Sequence, residues 1–263
     1  MIPALRFNDG FEIPQLGFGV YKVTDDAERV VSQAIEAGYR HIDTAKLYEN
    51  EAEVGRAIRS SGIPREEFFV TTKLWNSDQG TQEAFDAFDA SFDRLGLDYV
   101  DLYLIHWPQP ELDRYVESWR ALERIRESGR VRSIGVSNFK IEHLERLFAE
   151  TDTVPVINQT KLHPGHAKAE LREFCARHGI LVESWGPLGQ GRVDLDGIPS
   201  IAEAAVAHGV TPAQVVLRWH LQHGLVVIPK TVSPERMREN LDVFGFELSD
   251  AQMAAIDAVP EDA

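Results

Sequence analysis

The sequence predicts an α/β fold, a (β/α)8 TIM barrel, on three observations. Short β-like runs alternate with longer helical patterns along the chain, the order expected of a parallel sheet with crossover helices. The runs are almost continuously apolar, as strands buried on both faces must be. Eight such units fit within 263 residues, a length that α/β barrels commonly occupy as one domain. No linker or low-complexity stretch divides the chain, so a single domain over 1–263 is expected.

The units follow in order. QLGFG (Gln15–Gly19) leads to a helix from Asp26 to Ala37, and RHID to a helix over Glu51–Ser60. FFVTTK (Phe68–Lys73) leads to Gln82–Leu95, and VDLYLIH (Val100–His106) to Tyr115–Ser128. SIGVS (Ser133–Ser137) precedes Ile141–Ala149, and VINQ (Val156–Gln159) precedes Ala169–His178. ILVESW (Ile180–Trp185) precedes two helical stretches, Ser200–His208 and Pro212–His223. LVVIPK (Leu225–Lys230) precedes Pro234–Leu241. Ahead of all these, ALRF and FEIP flank NDG (Asn8–Gly10), a hairpin signal. That hairpin is expected to cover the barrel floor.

Charge and composition remove several function classes. The formal net charge is −15 and no basic stripe is present, so a nucleic-acid partner is not expected. A local basic pocket can still hold an anionic ligand. The single cysteine, Cys175, sits in the helical stretch LREFCARHG. It rules out an intramolecular disulfide and fits a reducing compartment. The N-terminus lacks a signal pattern, and no apolar run approaches the ~20 residues of a membrane span. A cytoplasmic protein without a membrane partner is therefore expected, and the lack of an obvious apolar stripe favours a monomer.

In a barrel of this kind, chemistry sits at the C-terminal ends of the strands. There RHID ends in Asp43, TTK in Lys73, LIH in His106, and GVS in Ser137 with Asn138. INQ ends in Gln159, ESW in Trp185 and IPK in Lys230. Tyr48 follows Asp43 by five residues, in a polar loop. Singly, each has an ordinary explanation: a capping aspartate, a lid aromatic, a strand-end lysine, a structural histidine. Together they suit carbonyl reduction, which needs a hydride on carbon and a proton on oxygen. A phenol can give the proton if its pKa, near 10 unperturbed, moves toward working pH. The Lys73 ammonium would lower it, Asp43 would hold Lys73, and His106 would orient the substrate oxygen.

The motifs LGFGVYKV, GYRHIDTAKLYENEAEVGRAI, VTTKLW, DLYLIHWP, SIGVSNF, INQ, HP and IPKTVSPERMRENL occur in this order. On them the chain resembles the aldo-keto reductase family over nearly its whole length. ESWGPLGQG and VVIPK…RENLDVF are similar in particular to the bacterial 2,5-diketo-D-gluconate reductases. The resemblance implies NADPH-dependent reduction of a small carbonyl compound, with Asp43, Tyr48, Lys73 and His106 as the catalytic set. It also favours a monomer.

The cofactor reading has the same two layers. No GxGxxG follows a first strand, so a Rossmann site has no support. GPLGQG (Gly186–Gly191) can be no more than a flexible loop. By resemblance its Gly186, Pro187, Leu188 and Gln190 lie against the pyrophosphate. Trp185 would stack on the nicotinamide, and Ser137, Asn138 and Gln159 would bond its carboxamide. PKTVSPERMREN offers Lys230, Thr231, Val232 and Arg236 beside a helix start capped by Ser233 and Pro234. Such a set suits a 2′-phosphate, though alone it also describes a solvated charged helix. Glu239 and Asn240 match positions near the adenine. Tyr21, Trp75 and Trp107 would join Tyr48 and His106 around the substrate, with Asn76 beside Trp75.

Two residues depart from the family pattern. Lys161 stands two after Gln159, where an acid is usual, and Lys46 stands where small residues are common. Either would offer a cation to an acidic substrate, or stay on the surface. The chain also ends at Ala263, where family members usually continue into a segment over the substrate opening, so a site open on one side is expected. Two other functions compete. One is a cofactor-binding regulatory or scaffold protein on the same fold. The other is a metal-dependent hydrolase using HPGH (His163–His166) or HLQH (His220–His223). Neither His pair has an evident third ligand, and no metal is expected.

Overall fold

The computed structural model describes residues 2–261. An antiparallel hairpin, β1 (Ala4–Arg6) and β2 (Glu12–Pro14), comes first. Its turn is closed by Gly10 N–H donating to the Phe7 carbonyl at 3.1 Å. Gly10 has φ +94° there, a backbone region that favours glycine.

The parallel strands are β3 (Phe18–Gly19), β4 (His41–Asp43), β5 (Phe69–Leu74), β6 (Val100–Ile105), β7 (Val131–Ser137), β8 (Ile157–Lys161), β9 (Leu181–Trp185) and β10 (Val226–Ile228). They pair in chain order. The ring closes through Leu16 and Val227: Gly17 N–H donates to the Val227 carbonyl at 2.8 Å, and Val227 N–H to the Gln15 carbonyl at 3.0 Å. Helices α1 (Ala27–Ala37), α2 (Glu51–Ser60), α3 (Gln82–Leu95), α4 (Tyr115–Glu127), α5 (Ile141–Glu150) and α6 (Ala169–Arg177) wrap the outside. So do α7 (Pro199–His208), α8 (Pro212–Gln222), α9 (Pro234–Leu241) and α10 (Asp250–Asp257). The (β/α)8 barrel and its hairpin thus stand as the sequence predicts. Helix limits agree within a residue or two; α5 continues to Glu150 and α8 stops at Gln222.

Local chemistry explains the helix starts. Thr211 caps α8 and Gln214 bonds back to it, with Pro212 in the first turn. Ser233 caps α9 by accepting from Arg236 N–H at 3.3 Å, again with Pro234 in the first turn. Both helices therefore begin at fixed points just beyond a strand or a helix.

Alternation along the strands sorts the barrel interior into layers. At the floor, Phe69, Leu102, Leu104, Ile157 and Val226 pack against Phe7 and Ile13 of the hairpin segment. The hairpin therefore plugs the lower end, and Ile13 is fully buried. On the same faces His41 stands level with Phe69, and higher up come Asp43, Lys73, Gln159 and Glu183, all buried. The outward strand residues, such as Val70, Tyr103 and Ile134, join the larger core beneath the helices. The polar layer lies at the strand tops, where the loops meet.

Candidate active site

Asp43 ends β4 and Lys73 lies near the end of β5, on the adjacent strand. Lys73 Nζ donates to Asp43 Oδ1 at 2.6 Å and to the Thr44 carbonyl at 2.8 Å. It lies 3.5 Å from Tyr48 Oη. Both members of the ion pair are buried. Burial works against the Lys73 charge most strongly, but Asp43, Tyr48 and Glu183 together outweigh it and the lysine pKa rises above its ordinary value.

Tyr48 sits in a 3-10 turn, Lys46–Tyr48, directly after β4. Asn50 anchors that turn. Its Oδ1 accepts from Thr44 Oγ1 at 2.7 Å, and its Nδ2 donates to the carbonyls of Val20 at 3.0 Å and Val23 at 3.1 Å. The loops after β3 and β4 are thereby tied together from below. The Tyr48 pKa departs from the sequence expectation. Burial pushes it up to about 12, and the nearby Lys73 ammonium only limits the rise. The phenol is neutral across the physiological range.

His106 follows β6, and its ring meets Tyr48 and Trp75 edge-on, with centroids 5.8 and 5.1 Å away. Burial, helped by Lys73, drives its pKa down to about 2, so the imidazole is neutral. Its Nδ1 is buried without a partner.

Ser137 ends β7, and Asn138 turns the chain with φ +62°. Asn138 is engaged on both polar atoms of its side chain. Its Oδ1 accepts from Trp185 Nε1 at 2.8 Å, while Nδ2 donates to the His106 carbonyl and to Ser137 Oγ, each at 3.0 Å. Gln159 Nε2 donates to Asp43 Oδ2 at 2.8 Å and to Glu183 Oε2 at 2.7 Å.

These groups floor a cavity of about 710 Å³. Asp43, Tyr48, His106, Asn138, Gln159 and Trp185 line it, as do Tyr21 and Trp107. Its far end is formed by Gly186, Pro187, Leu188, Gln190, Lys230 and Arg236. At Gly186 the backbone turns with φ +63°, and a side chain there would crowd Gln190. Neither Lys230 nor Arg236 joins an ion pair among the described residues, although the chain carries −15 overall. Two unpaired cations beside a glycine-rich loop and the capped start of α9 are chemically matched to an anion.

Several expected residues fall outside that lining. Lys73 and Ser137 are buried behind it, and Trp75 stands behind His106. Thr231 uses its hydroxyl to accept from Ser233 N–H at 3.1 Å. Val232 and Glu239 are exposed, and Asn240 is on the buried side of α9. Lys46 is ion-paired with Asp78, and Lys161 does not line the cavity. Of the two histidine motifs, His220 is held between the Val216 and Leu162 carbonyls, and His223 between Arg172 and Asp257.

Sequence reasoning overlooked Asn50, His41 and Glu183, and the loop Arg192–Asp196 that closes one side of the cavity. A glutamate inside the apolar run ILVESW, two residues before Trp185, was the available signal for Glu183.

The fold and site define a barrel enzyme of the oxidoreductase class, with a buried Asp43–Lys73–Tyr48 cluster beside His106 and an anion-matched end to its cavity. The Aldo/keto reductase family matches residues 15–261, and the chain belongs to that family. It is 54% identical over 257 residues to an aldo-keto reductase of Mycolicibacterium smegmatis, covering 97% of this chain and 93% of that one. It is 47% identical over 261 residues to the glyoxal reductase of Bacillus subtilis, covering 98% and 93%. Among solved structures, a Gox0644 mutant in complex with NADPH superposes with a TM-score of 0.94 at 48% identity, covering 100% of this chain and 95% of that one.

Proposed function

We propose that the protein reduces small aldehydes or ketones to alcohols with NADPH, Tyr48 delivering the proton. One observation carries this reading: a buried lysine sits between Asp43 and the Tyr48 hydroxyl at the cavity floor, with a neutral histidine beside them. NADPH fits the far end, where Lys230 and Arg236 would hold its 2′-phosphate and Trp185 would face the nicotinamide. When bound, NADPH supplies the hydride. The chain does the rest. Tyr48 stays a neutral phenol until the carbonyl oxygen gains charge, then gives up its proton. The Lys73 ammonium, 3.5 Å away, stabilises the phenolate that remains. Asp43 keeps that ammonium charged and in place. His106 orients the carbonyl oxygen through its ring N–H.

The substrate class follows from the rim. Tyr21, Leu47 and Trp107 are exposed there, and Lys46 is taken by Asp78. An uncharged 2-oxoaldehyde suits this rim, in line with the glyoxal reductase relative. A keto-sugar acid such as 2,5-diketo-D-gluconate is the second reading, favoured by ESWGPLGQG and by Lys22 at the cavity edge.

The test is NADPH oxidation against glyoxal, methylglyoxal, diketogluconate and aromatic aldehydes, beside Tyr48→Phe. Turnover should fall by at least about 100-fold in the variant, with NADPH still quenching tryptophan fluorescence. Binding without turnover in the parent would instead support the regulatory or scaffold reading.

A further inference from the structure

Beneath the cavity lies a carboxylate that the reduction steps above do not use. Glu183, on β9, is fully buried. It shares the Gln159 amide with Asp43: Nε2 donates to Asp43 Oδ2 at 2.8 Å and to Glu183 Oε2 at 2.7 Å. Both N–H bonds of Gln159 are thus spent on the two acids, and its carbonyl oxygen is left as the group it can offer to the cavity. The other oxygen of Glu183 has no hydrogen-bond partner. His41 Nε2 lies 3.6 Å from it.

The elements around Glu183 supply few charges. β4 brings His41 and Asp43, and β5 brings Lys73. From β8 comes Gln159, and β10 places uncharged Val226 opposite Glu183 in register. His41 is held neutral, burial pulling its pKa down to about 3. It stands so close to Gly17 that any side chain there would collide with its ring. Two carboxyl groups therefore share one ammonium beneath the cavity. Such a pair retains a proton on one member. Asp43 is the member bonded to Lys73.

We propose that Glu183 is a positioning residue for carbonyl reduction, which fixes Gln159 with its carbonyl oxygen toward the nicotinamide end and carries the proton that keeps the Asp43–Lys73–Glu183 cluster neutral overall. The proposal rests on the reductase reading above. A charged Oε1 would lie buried with no donor, whereas a protonated Oε1 faces the neutral ring of His41, whose Nε2 is 3.6 Å away. Burial first, then the Asp43 charge, push the Glu183 pKa up to about 8. Once it ionises, the added negative charge opposes formation of the Tyr48 phenolate, so reduction slows. Tyr48 itself would produce such a limb only near pH 12.

The experiment compares Glu183→Gln and Glu183→Leu with the parent. In the parent, kcat should fall as pH rises through about 8. Glu183→Gln keeps an acceptor for Gln159 but cannot ionise, so this limb should vanish while kcat at neutral pH stays within a few-fold. Glu183→Leu removes the acceptor, and the NADPH Kd from tryptophan quenching should rise about 5-fold or more. Infrared spectra of the cofactor-free parent should show a protonated-carboxyl band that disappears through the same pH range and is missing in Glu183→Gln. An unchanged pH limb in Glu183→Gln overturns the proposal, as does the absence of any titrating carboxyl band in the parent. The infrared and binding readings need no turnover, so they stand or fall separately from Tyr48→Phe. If Glu183→Gln does not fold, the parent's infrared titration alone decides.

Discussion

At the scale of single residues, the site depends on groups that touch no substrate. Asn50 joins three backbone and side-chain partners under the Tyr48 turn. Asn50→Ala would take these bonds from the Val23 carbonyl and the Thr44 hydroxyl, each loss costing about 1–3 kcal/mol, while the Val20 carbonyl keeps the Val23 N–H. We expect a melting temperature several degrees lower and a kcat loss larger than the loss in NADPH affinity, because Tyr48 moves and the cation end does not. Equal losses in both would point to general loosening instead. Asp43, Lys73 and His106 were legible in the sequence because each ends an apolar run, and a strand top is where a barrel exposes side chains. Asn50 and Glu183 were not. Their partners come from segments far away in sequence, such as Val20 and Gln159, and no local pattern announces such bonds. The Tyr48 pKa was misjudged for a related reason: spacing reveals the ammonium but not the depth of burial that outweighs it.

At the scale of elements, α9 and the barrel floor act independently. Replacing Lys230 and Arg236 by alanine should weaken NADPH binding about 10-fold or more, since charge-assisted bonds contribute about 1.5–3 kcal/mol each. NADH binding should barely change, and titration of both cofactors checks this. Ile13 plugs the opposite end. Ile13→Ala should cost about 2–5 kcal/mol, seen in urea unfolding, with KM values intact. The strand–helix order made both ends readable in advance. The residues around the phosphate end were harder to assign, because Thr231 and Asn240 turn their polar atoms or bulk into the fold and not the cavity.

For the whole molecule, buried titratable groups shape stability against pH. Burial drops the His220 pKa to about 4 and that of His41 to about 3. Their depressed values mean stability is complete above the unfolded histidine pKa of about 6.5 and is lost as pH falls toward the folded values. Glu183 works the other way. Its raised value gives stability that is complete below the unfolded carboxyl pKa of about 4.3 and lost as pH climbs through about 8. Urea midpoints should therefore decline on both sides of neutrality, and a midpoint that is flat from pH 5 to about 9 would contradict these assignments.

The joining of first and last strands at Leu16 and Val227 bears on how this chain survives crowding. A complete ring presents no open row of amides and carbonyls to a neighbour. Here that protection hangs on a few bonds between a two-residue strand and a three-residue one. Should Gly17 and Val227 part, two bare sheet edges appear at once, each ready to recruit another copy. That seam is therefore the place where this barrel is least protected against pairing edge to edge.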